Sequence, residues 1–199
     1  MSAALLVRLK ITDLTAWTAL HTGRKLLPPD VALTRVVREQ LLLFEPEEGA
    51  GAETFEGNLE RAVTGSNFFV NPNRESHRLL RSAERGERWP APAGAWGVLA
   101  RTRDDTRDEG LRERLLREHP LPGLRAIRRA RVWWLWTQGP GGDPAVRAGY
   151  EALGVVRAAR RGLLVNPHAE TSLLIEGGIA WKDVEAFLTA PAPAHRVAA

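Results

Sequence analysis

Leu5, Val7, Leu9 and Ile11 alternate with Arg8 and Lys10, the period-two pattern of a half-buried β-strand. After a capping Thr12 or Asp13 the apolar positions change to helical spacing, with Leu14, Trp17 and Leu20 on one face. Pro28 and Pro29 end that helix, because proline has no amide donor and restricts the residue before it. Residues 36–44 read as a second strand, bent or turned around 38–40, and the polar, glycine-bearing stretch 45–53 leads out of it. Phe55, Leu59, Ala62 and Val63 then mark a second amphipathic helix that runs on to Phe69 and Val70, with a weak spot at 65–67. The segment "RESHRLL" (74–80) closes the unit as a strand.

The same pattern then recurs. "LLVRLKITDLTAWTAL" (5–20) aligns with "WGVLARTRDDTRDEGL" (96–111), and "LTRVVREQLLLF" (33–44) with "LRAIRRARVWWL" (124–135), both at an offset of 91. After four inserted residues, "FFVNPNRE" (68–75) meets "LLVNPHAE" (163–170) at an offset of 95. In the second copy the helix through Tyr150, Leu153, Val156, Ala159, Leu163 and Leu164 is expected to be the more regular of the two, and "ETSLLIE" (170–176) to be its closing strand. A repeat of this length is a small domain rather than a solenoid unit.

The expected fold is therefore α+β: two tandem two-layer α/β sandwich units, residues 1–83 and 95–177. Each is strand–helix–strand (or hairpin)–helix–strand on a mainly antiparallel sheet. Residues 84–94, "ERGERWPAPAG", read as a stiff linker, and 178–199 as a terminal helix over 179–188 followed by a frayed tail. "LLLF" (41–44) and "VWWLW" (132–136) are apolar at successive positions, which implies burial on both faces of the sheet. One helical layer covers only one face. The other is expected to meet the sister unit, face to face or edge to edge, as a pseudo-dimer, and the same argument extends to homo-oligomers.

Composition adds limits. Of 199 residues 44% are hydrophobic and 26% charged, ordinary values for a globular chain. The isoelectric point near 10.3 arises because nearly all cations are arginine, while the net charge is only +4, so it says little about nucleic acid. The absence of cysteine excludes disulfides and thiolate metal sites. No run approaches the ~18 apolar residues of a membrane span, and the N-terminus turns polar too early for a signal peptide, so a cytoplasmic protein is expected. His21, His77, His119, His168 and His195 lack metal-ligand spacing, and "GPGGD" (139–143) lacks the lysine of a phosphate loop. Asp104, Asp105, Asp108 and Glu109 suit the positive end of a helix, and Arg157, Arg160 and Arg161 a solvated helix face. No catalytic residue, metal or cofactor is expected.

The opening "LLVRLKI", with Leu9 and Lys10, and the two stretches ending "N-P-x-x-E" (Asn71, Pro72 and Glu75; Asn166, Pro167 and Glu170) resemble the small PurS subunit of phosphoribosylformylglycinamidine synthase. The resemblance covers most of both repeats. The family's aspartate-proline turn after its first strand is replaced by 13–15 and 104–106, and its glycine-lysine turn by 38–40 and 129–131. Family members are single-unit chains that dimerise, so the resemblance implies a fused pair. It also implies a non-catalytic accessory role in purine biosynthesis, inactive alone, bridging a glutaminase and an ATP-using synthetase subunit.

On that reading Lys10, Asn71, Pro72, Glu75, Asn166, Pro167 and Glu170 are candidate partner-binding residues. The simpler roles are structural: Asn capping the second helix, Pro ending it, and Glu as a solvated carboxylate. Two other readings are a PurS-like paralogue that serves as scaffold in a different complex, and a single-strand nucleic-acid platform. The platform would use Trp133, Trp134 and Trp136 beside Arg125, Arg128, Arg129 and Arg131. The apolar "LLLF" at the equivalent place in the first repeat favours a core role for these tryptophans.

Overall fold

The computed structural model describes residues 2–28, 31–81, 88–89, 91–104, 106–138, 143–158, 161–177 and 179–191. Asp105, Ala159, Arg160, His195, the glycine stretch 139–142, and parts of the expected linker and tail lie outside the described residues.

The first half of the chain contains β1 (Ala3–Leu9), α1 (Leu14–Gly23), β2 (Ala32–Pro46), α2 (Ala52–Gly65) and β3 (Glu75–Leu80). The second contains β4 (Trp96–Thr102), α3 (Thr106–Glu118), β5 (Leu124–Gln138), α4 (Asp143–Gly149) continuing into a wide π-turn (Tyr150–Gly154), and β6 (Glu170–Ile175); α5 (Trp181–Thr189) follows. All six strands form one antiparallel sheet in the order β3-β1-β2-β5-β4-β6, so the fold is α+β. The halves meet edge to edge through β2 and β5, not face to face.

Strand register relates the halves closely. Gln40 pairs with Arg131, its counterpart at offset 91, so a local dyad passes through that pair. In the first half Leu5 pairs with Leu42 and Leu79; in the second Val98 pairs with Trp133 and Leu174. Trp133 lies 91 residues beyond Leu42 and Leu174 lies 95 beyond Leu79, which makes Val98 the counterpart of Leu5. The offset of the first strand is thus 93, and the ungapped alignment of 5–20 with 96–111 is two residues short there.

Side chains of β2 separate the two faces. Leu42 and Phe44 join a core with Ala3, Leu5, Phe55 and Leu59, together with Leu115 of α3. Val36, on the same side of the strand, packs with Ala16, Ala19, Leu33, Trp96, Trp133 and Leu153. Each of these two cores on the helical face therefore combines helices from both halves. The opposite face, with Leu41, Leu43, Val132 and Trp134, is covered by Trp181, Val184 and Leu188 of α5 and by Trp89, not by a second sheet. Trp89 stacks on Trp181 with ring centroids 4.9 Å apart.

Several local expectations are corrected. β1 is not half-buried, since Ala3–Val7 are all inaccessible between two cores. β2 runs unbroken through 38–40; its irregularities lie between Leu33 and Arg35 and between Glu45 and Pro46. α1 buries Ala16, Ala19 and Gly23, while Leu14 and Trp17 face outward. The bulky Trp96 and Trp133 occupy that core and leave room only for small helical residues. α2 ends at Gly65, with Phe69 and Val70 buried in the loop beyond it.

The second half of the chain is the less regular one. The α-helix gives way after Gly149 to the wide π-turn, and only glycine fits at two points: a Cβ on Gly149 would lie 2.9 Å from Trp96, and one on Gly154 2.7 Å from Tyr150. The chain continues in extended form, with Val155 bridging Val165 and Ala158 bridging Arg161; Arg157 and Arg161 are exposed on this turn, not on a helix. Among the described residues no helix is long and apolar enough to cross a membrane.

Candidate functional site

On the helical face, alternate positions of β2 read Val36, Arg38, Gln40, Leu42, and those of β5 read Ile127, Arg129, Arg131, Trp133. Each strand is apolar where it enters a core and polar between the two cores. The register brings the polar intervals together at the dyad, where they floor a cavity of about 450 Å³.

The lining follows the pseudo-symmetry. Arg38 and Arg129 are counterparts, as are Gln40 and Arg131, and Glu75 and Glu170; Val7 and Leu9 correspond to Ala100 and Thr102 at the first-strand offset. Asp13 both caps α1, accepting from the amides of Thr15 (2.9 Å) and Ala16 (3.1 Å), and binds Arg38 through two hydrogen bonds of 2.9 and 3.2 Å. Asp108 on α3 accepts from Nε of Arg129 at 2.7 Å and from the Arg129 amide at 3.1 Å. The acidic cluster at the start of α3 is therefore more than a response to the helix dipole. Asp104 accepts from the Thr106 amide, which holds its carboxyl below the ordinary aspartate value.

The N-P-x-x-E segments supply the two glutamates by the same local geometry. The side-chain oxygen of Asn71 accepts from the Asn73 amide (3.1 Å), and that of Asn166 from the His168 amide (3.0 Å). Glu75 in turn accepts from the Asn71 amide at 2.7 Å and Glu170 from the Asn166 amide at 2.9 Å. Asparagine thus starts a self-contained turn and does not cap the second helix, whose first-copy cap is Ser66. Lys10 secures the first turn by donating to the Pro72 carbonyl at 2.8 Å. Of the candidate partner-binding residues, Glu75 and Glu170 reach the cavity, whereas Lys10, Asn71, Pro72, Asn166 and Pro167 do not line it; Arg129 and Arg131, read from sequence as part of a nucleic-acid platform, line it too.

The counterparts differ at one telling place. Arg131 donates to Glu170, but the counterpart of Arg131 in the first half is the neutral Gln40, and among the described residues Glu75 accepts only from the Asn71 amide. The cavity also takes in Arg38, Gln40 and Asp13, which the sequence does not single out as site residues. The signal that could have found them is the pair of polar positions interrupting an alternating apolar strand face.

The tryptophans form no stacking platform. Trp133 and Trp134 are 4% and 0% exposed, and Arg35 lies over the Trp136 ring at 4.6 Å. Arg125 and Arg128 converge on buried Glu45 at 2.6 and 2.9 Å. Among the described residues the large apolar side chains that face solvent are Ile11, Leu14, Trp17 and Val156; Ile11 lies just before α1 and Leu14 and Trp17 on it, where the Trp17 and His21 rings meet at a tilt with centroids 4.2 Å apart. Among the described residues no three His, Asp or Glu side chains are placed to hold a metal ion. No protein-family model matches the chain, and comparison with curated proteins and with solved structures found no similar protein.

Proposed function

We propose that the chain is a non-catalytic accessory subunit of the PurS kind, two family units fused into one, that binds glutaminase and synthetase subunits of phosphoribosylformylglycinamidine synthase. The observation that carries this reading is the outward strip of α1: Leu14 is 71% and Trp17 54% exposed, with Ile11 at 47% beside them. Exposed apolar side chains grouped in this way are typical of surfaces that a partner covers. The equivalent helix of the second half, α3, instead presents Arg107, Glu109 and Gly110. A fused pair with unlike outer surfaces suits a subunit that must hold two different partners, where a symmetric homodimer would offer each the same face.

Size-exclusion chromatography of the purified chain with the two subunits, in the presence of glutamine and nucleotide, tests this. Co-elution of all three is expected, and Trp17→Glu should abolish capture of one subunit while the circular dichroism of the chain is unchanged. Separate elution of the wild-type chain from both subunits would sink the proposal. A Trp17→Glu variant that still captures both would remove the surface on which it stands.

A further inference from the structure

The cavity on the dyad is separate from the outward strip of α1, since Ile11, Leu14 and Trp17 do not line it. Its charges largely cancel in pairs: Arg38 with Asp13, Arg129 with Asp108, and Arg131 with Glu170. Two are left over. Glu75 has lost the guanidinium that its counterpart Glu170 keeps, because Gln40 stands where the second half has Arg131. Arg107, on the first turn of α3, lines the same cavity; its charge acts on the exposed Asp104 carboxylate, but it has no hydrogen-bond partner among the described residues.

Arg129 adds donor capacity. It binds Asp108 through Nε, so its two terminal nitrogens remain available for a planar anion, and 31% of its side chain is exposed. Val7 and Leu9 supply an apolar wall, and about 450 Å³ is the size of pocket that encloses a small metabolite. An anion alone would leave Glu75 unanswered, and a cation alone would leave Arg107 so. A molecule with one charge of each sign satisfies both.

We propose that this cavity binds a small zwitterion, an α-amino acid or a close relative, with its ammonium group on Glu75 and its carboxylate on Arg107 and the free edge of Arg129. Thermal-shift and calorimetric measurements on the full chain test this, with each of the twenty common L-amino acids as probes, succinate as an anion-only probe and putrescine as a cation-only probe. At least one amino acid should bind with Kd of about 1 mM or tighter and raise Tm by roughly 2–4 °C at ten times that concentration, whereas succinate and putrescine at equal concentration should not. Glu75→Gln keeps an acceptor for the Asn71 amide, so its turn should survive, and it should weaken amino-acid binding by about tenfold or more. Arg107→Ala, on an exposed helix surface, should weaken it similarly. The proposal is overturned if no amino acid binds, if succinate or putrescine binds as well as the best amino acid, or if both variants bind like the wild type.

Discussion

Among the described residues Trp134 is the largest side chain that is fully buried. Its side chain is fully buried in the core under α5, and its indole nitrogen donates to Glu39 at 2.7 Å, which fixes the ring in one orientation. Gly97 on the neighbouring strand pairs with it directly, and a Cβ there would come 2.7 Å from one ring carbon and 2.9 Å from another. Glycine is required by this approach and not by its backbone angles. Gly97→Ala is therefore expected to destabilise the protein by about 1–3 kcal/mol, the usual effect of overpacking a close-packed core. The loss should shrink when Trp134→Phe is introduced with it, since a smaller ring makes room. Chemical denaturation of the four variants measures this, and a Gly97→Ala change within about 0.5 kcal/mol of wild type would contradict the geometry.

Elements are joined to one another here by carboxylates that each serve two purposes. Asp13 caps α1 and grips Arg38 of β2, so one side chain fixes both the start of the helix and its position over the sheet. Asp13→Ala should cost about 1–2 kcal/mol, the range for losing a helix cap, with a further loss from the ion pair. Asp13→Asn should recover most of the cap but not the pair. Amide exchange at Thr15 and Ala16 separates the two contributions, and equal protection in the alanine variant and the wild type would dismiss the cap. A cap at Thr12 or Asp13 is legible from sequence, and the structure selects Asp13; the six strands and most helices are legible as well. The bend expected at 38–40 was a misreading of real information. Arg38 and Gln40 break the apolar run because they line a cavity, and only the pairing of β2 with β5 shows that the chain stays straight there. The helix through 150–164 was likewise read from apolar spacing, which registers neither Gly149 against Trp96 nor Gly154 against Tyr150.

For the whole molecule, the two cores of the helical face show why the halves belong together. Where the sheet contributes Trp96 and Trp133, α1 contributes Ala16 and Ala19; where it contributes Ala3 and Leu42, α3 contributes Leu111 and Leu115. Ala3 and Trp96 are counterparts at offset 93, and Leu42 and Trp133 at 91, so large and small have been exchanged between the halves. Two copies of the first half would set small helix residues against small sheet residues and leave voids; two copies of the second would bring large against large. Either mismatch costs several kcal/mol by the usual penalties for cavities and overpacking. Separately produced segments 1–81 and 88–199 are therefore expected to be unfolded or weakly self-associated alone, and to assemble one to one when mixed, regaining the circular dichroism of the intact chain. Native mass spectrometry would resolve the species. A folded homodimer of 1–81 as stable as the mixed assembly would show that the exchange of sizes does not govern pairing, and that the local dyad through Gln40 and Arg131 could be built equally well from like halves.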